Sequence, residues 1–260
     1  SIPKKSYLIG LFIIFASAYS QYLIGGLGLI LGIFIVYGVP LLVTSLLWGS
    51  EIIRKAFSHT FAALKFGLGF FGAFTVLGVL ASTVIFYIIV TLDPTAVSLL
   101  HRSNPVLNIP PELAWIMVWF SLLVVGPVEE YLFRGFMYGG LLSLFKDHHW
   151  LSLAFISSIL FAAVHLYYAL VYGIVSLVQF TDLVTFGMAM AATYYLSGGN
   201  LLVPAMIHGA YDATGFVGVA TSPDTSIILR GSMILIGIIV AIALFVQKMH
   251  KKKGIASIVR

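Results

Sequence analysis

No cysteine occurs in the 260 residues, charged side chains make up 9% of them, and only nine are acidic. The missing cysteine excludes disulfides, a thiol nucleophile and thiolate metal sites, so any metal would have to be held by His, Asp or Glu. An ordinary soluble domain is about 25% charged, and no stretch here of about 50 residues is polar enough to form one. Period-2 alternation is also missing, which removes a β-barrel. No internal repeat or low-complexity segment stands out.

What is present is apolar: 60% of the residues are hydrophobic and the mean hydropathy is +1.07. The apolar runs are about 20 residues long, enough for a helix to cross a bilayer. The sequence therefore predicts an all-α, polytopic membrane helical bundle, with residues 1–260 forming a single integral-membrane domain. The formal charge of +5 would suit nucleic acid, but the basic residues sit at span ends, which fits cytoplasmic flanks and anionic lipid instead. No nucleic-acid partner is expected, and nothing specifies an oligomeric state.

Tyr7 to Trp48 carries no charge and is too long for one helix, so a break is expected at Ser20, Gln21, Gly25 and Gly26. Glu51 to Lys65 reads as an interfacial helix before a third span from about Phe66 to Leu92. Asp93 to Pro111 is a polar loop, and a fourth span runs from about Leu113 toward Phe145, interrupted at Gly126 and Pro127. Spans five to eight are expected at Leu151–Val178, Leu183–Leu196, Leu201–Ala220 and Ile227–Val246. With the N-terminus inside, eleven of the fourteen Lys and Arg fall on the cytoplasmic side, so about eight crossings with both termini cytoplasmic are predicted. Lys4, Lys5 and the Ala16-Ser17-Ala18 stretch imitate a signal peptide, but the apolar run continues, and an uncleaved first span is expected.

Ionisable groups inside a span are costly and mark function by default. Glu129, Glu130 and Arg134 fall in the fourth span, His165 in the fifth, and His208 and Asp212 in the seventh. Glu130 and Arg134, four residues apart, can pair on one helix face, while Glu129 is turned about 100° away. Glu129 is left to meet His165, which has Phe161 four residues before it, and His208, which has Asp212 four residues after it. Such a set can deprotonate a water and stabilise an oxyanion, or bind a divalent metal. Taken singly, each piece also has a plainer reading. Glu130 with Arg134 is equally a structural pair, His165 a hydrogen-bonded core histidine, and His208 with Asp212 a proton relay in a transporter.

Glu129-Glu130-Tyr131-Leu132-Phe133-Arg134 fits EExxxR, Phe161 to His165 fits FxxxH, and His208 to Asp212 fits HxxxN/D, in that order. With these three motifs the chain resembles the CPBP family of intramembrane proteases, which includes type II CAAX prenyl endopeptidases and bacteriocin-processing or self-immunity proteins. The motif core covers about residues 125–215. The resemblance implies hydrolysis of a peptide bond near the C-terminus of a membrane-associated, CAAX-type prenylated protein or peptide substrate within the bilayer. It makes Glu129 and His165 the water-activating pair, and His208 and Asp212 the oxyanion-side groups. Glu130, Arg134 and Phe161 become supporting or substrate-binding residues. Asp212 departs from the Asn usual in the CAAX branch, and a carboxylate donates to an oxyanion only when protonated. No resident cofactor is favoured; zinc on Glu129, His165, His208 and Asp212 is the alternative.

Neither HExxH nor GxGD occurs, and a serine route through Ser197 and His208 would place Tyr195 where a GxSG loop needs glycine. The competing class of function is an inactive, protease-like membrane protein for binding or immunity, or a proton-coupled transporter. An inactive relative should have lost one of the four catalytic positions, and all four are present.

Overall fold

The computed structural model describes residues 2–24, 29–102 and 107–258. Every regular element among them is helical, as a chain that must satisfy its backbone hydrogen bonds inside lipid requires. We number the main helices α1 (Lys4–Ile24), α2 (Leu31–Ile53), α3 (Thr60–Leu92), α4 (Pro111–Leu144), α5 (Trp150–Val164), α6 (Ser176–Leu196), α7 (Leu202–Ala220) and α8 (Pro223–Ile258). Among the described residues five stretches are long and apolar enough to cross a bilayer: Leu31–Ile53, Thr60–Leu92, Pro111–Leu144, Leu166–Leu196 and Pro223–Met249. Large side chains such as Phe12, Leu46 and Leu92 face outward and exposed. Thr44, Ser158 and Thr193 are turned inward and donate to carbonyls four residues back at 2.7–2.8 Å.

The boundaries of α4 and α7 fall where the sequence places them. The break expected at Ser20 to Gly26 is later than its first residues, since α1 runs through Ser20 and Gln21 to Ile24; Gly25 and Gly26 lie outside the described residues. The expected interfacial helix at Glu51 to Lys65 does not form. Instead α2 ends at Ile53, residues 54–59 turn, and His59 adopts a left-handed conformation (φ 44°) before α3 begins at Thr60. That turn docks on the loop after α6. Ser58 Oγ donates to the Ser197 carbonyl, Asn200 Nδ2 donates to the Ser58 carbonyl, and the Ala56 carbonyl accepts from Leu201 and Leu202.

The expected span Leu151–Val178 is also broken, and the expected count of eight crossings rests in part on it. α5 stops at Val164 after 15 residues, about 22 Å at 1.5 Å per residue, short of the about 30 Å of a hydrocarbon core. Short helical turns follow to Gly173, whose φ of 53° and ψ of −134° suit glycine and redirect the chain into α6.

α4 is the helix around which the others are arranged. All eight residues of its Tyr131–Tyr138 segment are buried, against Tyr7 and Ile14 of α1, Ile52 of α2, Phe161 of α5 and Tyr194 of α6. On its other side α4 meets α7 so closely that neither backbone has room for a side chain. A Cβ on Gly126 would strike the Ala205 carbonyl, and one on Gly209 would lie 2.6 Å from the Ser121 carbonyl oxygen and 3.0 Å from Leu122 Cα. Gly209→Ala must then push the two backbones apart, at an expected cost of about 1–3 kcal/mol in unfolding free energy measured in detergent. A change within about 0.5 kcal/mol, the range of a surface substitution, would contradict this packing.

Candidate active site

Among the described residues three segments of π-helix interrupt the long helices: Phe34–Gly38 in α2, and Ser121–Val125 and Tyr131–Tyr138 in α4. Such bulges shift the helical register by one residue and gather at functional sites. The two short ones precede a proline, Pro40 and Pro127, each at the second residue of the α-helical turn that follows. Proline has no N–H to give the carbonyl four residues back, and a local change to i→i+5 bonding absorbs that loss; the Gly126 N–H accordingly reaches the Ser121 carbonyl.

The register places Glu129 and Glu130 on different partners. Arg134 Nη1 donates to Glu130 Oε1 at 2.9 Å, so the ion pair expected from their spacing is present, with Glu130 0% and Arg134 2% exposed. Phe161 and Phe186 flank the guanidinium, their ring centres 4.4 and 5.9 Å from Arg134 Cζ. The same Glu130 oxygen also accepts from His208 Nδ1 at 2.7 Å, a link across to α7 that the sequence did not suggest. Among the described residues Glu130 Oε2 and Arg134 Nη2 have no partner.

His208 Nε2, on the other side of the ring, stands 3.6 Å from Glu129 Oε2 and 3.5 Å from Asp212 Oδ2. Glu129 takes a hydrogen bond of 3.2 Å from the Tyr37 hydroxyl of α2. Tyr37 was not among the residues expected in the site. Its sequence signal is weak, because Tyr7, Tyr19 and Tyr22 stand in the same uncharged run; the one hint is Pro40 just beyond it.

His165 lies at the end of α5 rather than inside a span. Its N–H bonds the Ala162 carbonyl, which leaves the Phe161 carbonyl to the His165 ring: Nδ1 lies 2.8 Å from that oxygen. A carbonyl only accepts, so Nδ1 carries the proton and Nε2 keeps a lone pair. The Tyr19 hydroxyl caps the Ala163 carbonyl beside it.

Glu129, His165, His208 and Asp212 all line one cavity of about 830 Å³, together with Tyr37, Phe133, Phe161 and Phe186. Glu130 and Arg134 lie behind it and do not line it. Two more charged residues do, Asp182 of α6 and Arg230 of α8; both sit at edges of spans as read from sequence, where they pass for loop charges. As a metal site the cluster fits poorly. Among the described residues no three His, Asp or Glu side chains stand close enough together to form a ligand group.

This geometry places the three motifs around one cavity, on α4, α5 and α7. Residues 111–214 match the family model described as type II CAAX prenyl endopeptidase Rce1-like. The match bears out the resemblance carried by the motifs, and with the long apolar helices it makes this an integral membrane protein of protease type. It spans α4 to most of α7, and so leaves out Tyr37 and Arg230. No curated protein and no solved structure matches the chain.

The buried pair sets the first test of the site. Arg134→Met leaves buried Glu130 with His208 as its one remaining partner and should cost about 3 kcal/mol of stability, the lower end for breaking a buried pair. Adding Glu130→Gln removes the stranded charge and should restore part of the loss in the same detergent unfolding assay. A double variant at least as unstable as the sum of the two single variants would show that the two residues do not act as a couple.

Proposed function

We propose that the chain is an intramembrane endopeptidase that hydrolyses a peptide bond near the C-terminus of a membrane-associated, isoprenylated CAAX-type substrate, releasing the last three residues. The observation that carries this reading is the convergence of Glu129, His165, His208 and Asp212 on one cavity in a segment of protease type. Glu129 acts as the base that takes a proton from water, with Tyr37 fixing its other oxygen. His165 holds the same water through its free Nε2. Protonated His208 keeps Nδ1–H on Glu130 and presents Nε2–H to the tetrahedral oxyanion. Glu130 and Arg134 position His208 from behind, and the apolar wall of Phe133, Phe161 and Phe186 receives the lipid or neighbouring substrate side chains.

Asp212 is the most open carboxyl of the group, with 37% of its side chain exposed; because a carboxylate only accepts, it acts on the oxyanion in its protonated form or through a water. Both termini lie on the cytoplasmic side, and residues 1–260 act as one protease domain without a resident metal. The competing non-enzymatic reading, a binding or immunity protein or a proton-coupled transporter, has no specific observation in its favour.

Glu129→Gln should reduce turnover of a farnesylated CAAX peptide by at least about a hundredfold, the lower end for loss of a general base. Activity within about threefold of the parent would remove Glu129 from that role. Asp212→Asn should preserve or raise turnover by supplying a neutral donor, with zinc well below one per chain in both proteins. Near-equimolar zinc in the parent, lost together with activity in Asp212→Asn, would overturn the metal-free mechanism.

A further inference from the structure

Among the described residues Arg230 is the one basic side chain lining the cavity that none of the steps above uses. It enters from α8 and is held at its inner end: Nε donates to Thr214 Oγ1 at 2.7 Å, and the guanidinium carbon lies 4.9 Å from the centre of the Tyr211 ring. Thr214 Oγ1 is itself fixed by donating to the Tyr211 carbonyl at 2.6 Å. This fork therefore has a set position, with its Nη groups still available. Among the described residues no carboxylate lies within ion-pair distance of it, although Asp182 and Asp212 line the same cavity.

A guanidinium held in a membrane cavity without a paired carboxylate is a receptor for an anion, and its fork matches a carboxylate in bidentate fashion. Its position along α7 gives the distance to the reacting groups. Arg230 Nη2 lies 3.1 Å from where a Cβ on Gly215 would be, so the missing side chain there leaves the fork open to the cavity. Gly215 is two helical turns beyond His208 and on the same face, about 10.5 Å along the axis. Three extended residues span about 10 Å.

We propose that Arg230 binds the free α-carboxylate of the substrate and thereby sets cleavage three residues from a chain terminus. The proposal rests on the peptidase reading above and adds the specificity-determining contact to it. A substrate extended past that point, or blocked there, loses the ion pair and brings an uncompensated polar group to the cavity end.

The test uses the full-length protein and an internally quenched peptide ending in Cys-Val-Ile-Met, farnesylated or unmodified at the cysteine, each made as the free acid and as the C-terminal amide. The parent should favour acid over amide by at least about tenfold in kcat/KM, mainly through KM. In Arg230→Gln this ratio should collapse toward one, and Arg230→Lys should keep part of it. Acid and amide cleaved equally by the parent would overturn the proposal and leave the peptidase reading standing. It would also be overturned if Arg230→Gln lowered both substrates by the same factor, the signature of a merely structural anchor on Tyr211 and Thr214. Hydrolysis of none of the four peptides by the parent would overturn the peptidase reading itself, and this proposal with it.

Discussion

A guanidinium sealed inside a membrane protein is the constraint on which the rest of the structure depends. Arg134 is 2% exposed, and an isolated charge in such a place would cost many kcal/mol. Glu130 compensates it, and the oxygen that accepts from Arg134 also accepts from His208 Nδ1. One carboxylate oxygen thus joins two turns of α4 to the middle of α7. The link is short enough to need two backbones in near contact, which is why Gly126 and Gly209 carry no side chain where the helices meet. Once His208 is held from behind, its second nitrogen faces Glu129 and Asp212 across the cavity. The geometry of the site is in this sense set by groups that do not line it.

Much of this could be read along the chain, for physical reasons that can be named. The helical class follows from apolar runs with no alternation, and the α4 and α7 boundaries from clear polar flanks. The Glu130–Arg134 pair is a four-residue spacing, which survives even though the helix there is π-bonded. Contacts between distant segments were not legible. Nothing local distinguishes Tyr37 from the other tyrosines of its run, and the His208 link to Glu130 depends on how closely α7 approaches. The helix through His165 was misjudged because hydropathy does not register a helix end: α5 stops at Val164, where the His165 ring takes the Phe161 carbonyl, and Gly173 with its positive φ then redirects a stretch that stays apolar. The interfacial helix before α3 failed for a related reason, since docking against the 197–201 loop outweighed the local amphipathic pattern.

Proline proves the more useful marker in retrospect. Pro40 and Pro127 each lie two residues past a π-helical segment, and each is close in sequence to a residue that contacts or supplies the central carboxylates. A proline inside an otherwise apolar span usually signals a kink. Here the chain stays helical and the disturbance appears as a change of register, which re-aims the side chains that follow.

That register has a consequence for how such a chain can vary over generations. A π segment is, in effect, one extra residue carried inside an α-helix. Point substitutions along α4 act locally, but losing one codon between Ser121 and Tyr138 would turn everything on one side of the loss by about 100° relative to the other. A loss ahead of the two glutamates would swing Glu129 away from Tyr37, and one among the three residues between Glu130 and Arg134 would part that pair. The 18 residues from Ser121 to Tyr138 therefore behave as a fixed-length gauge, open to changes of letter and closed to changes of count.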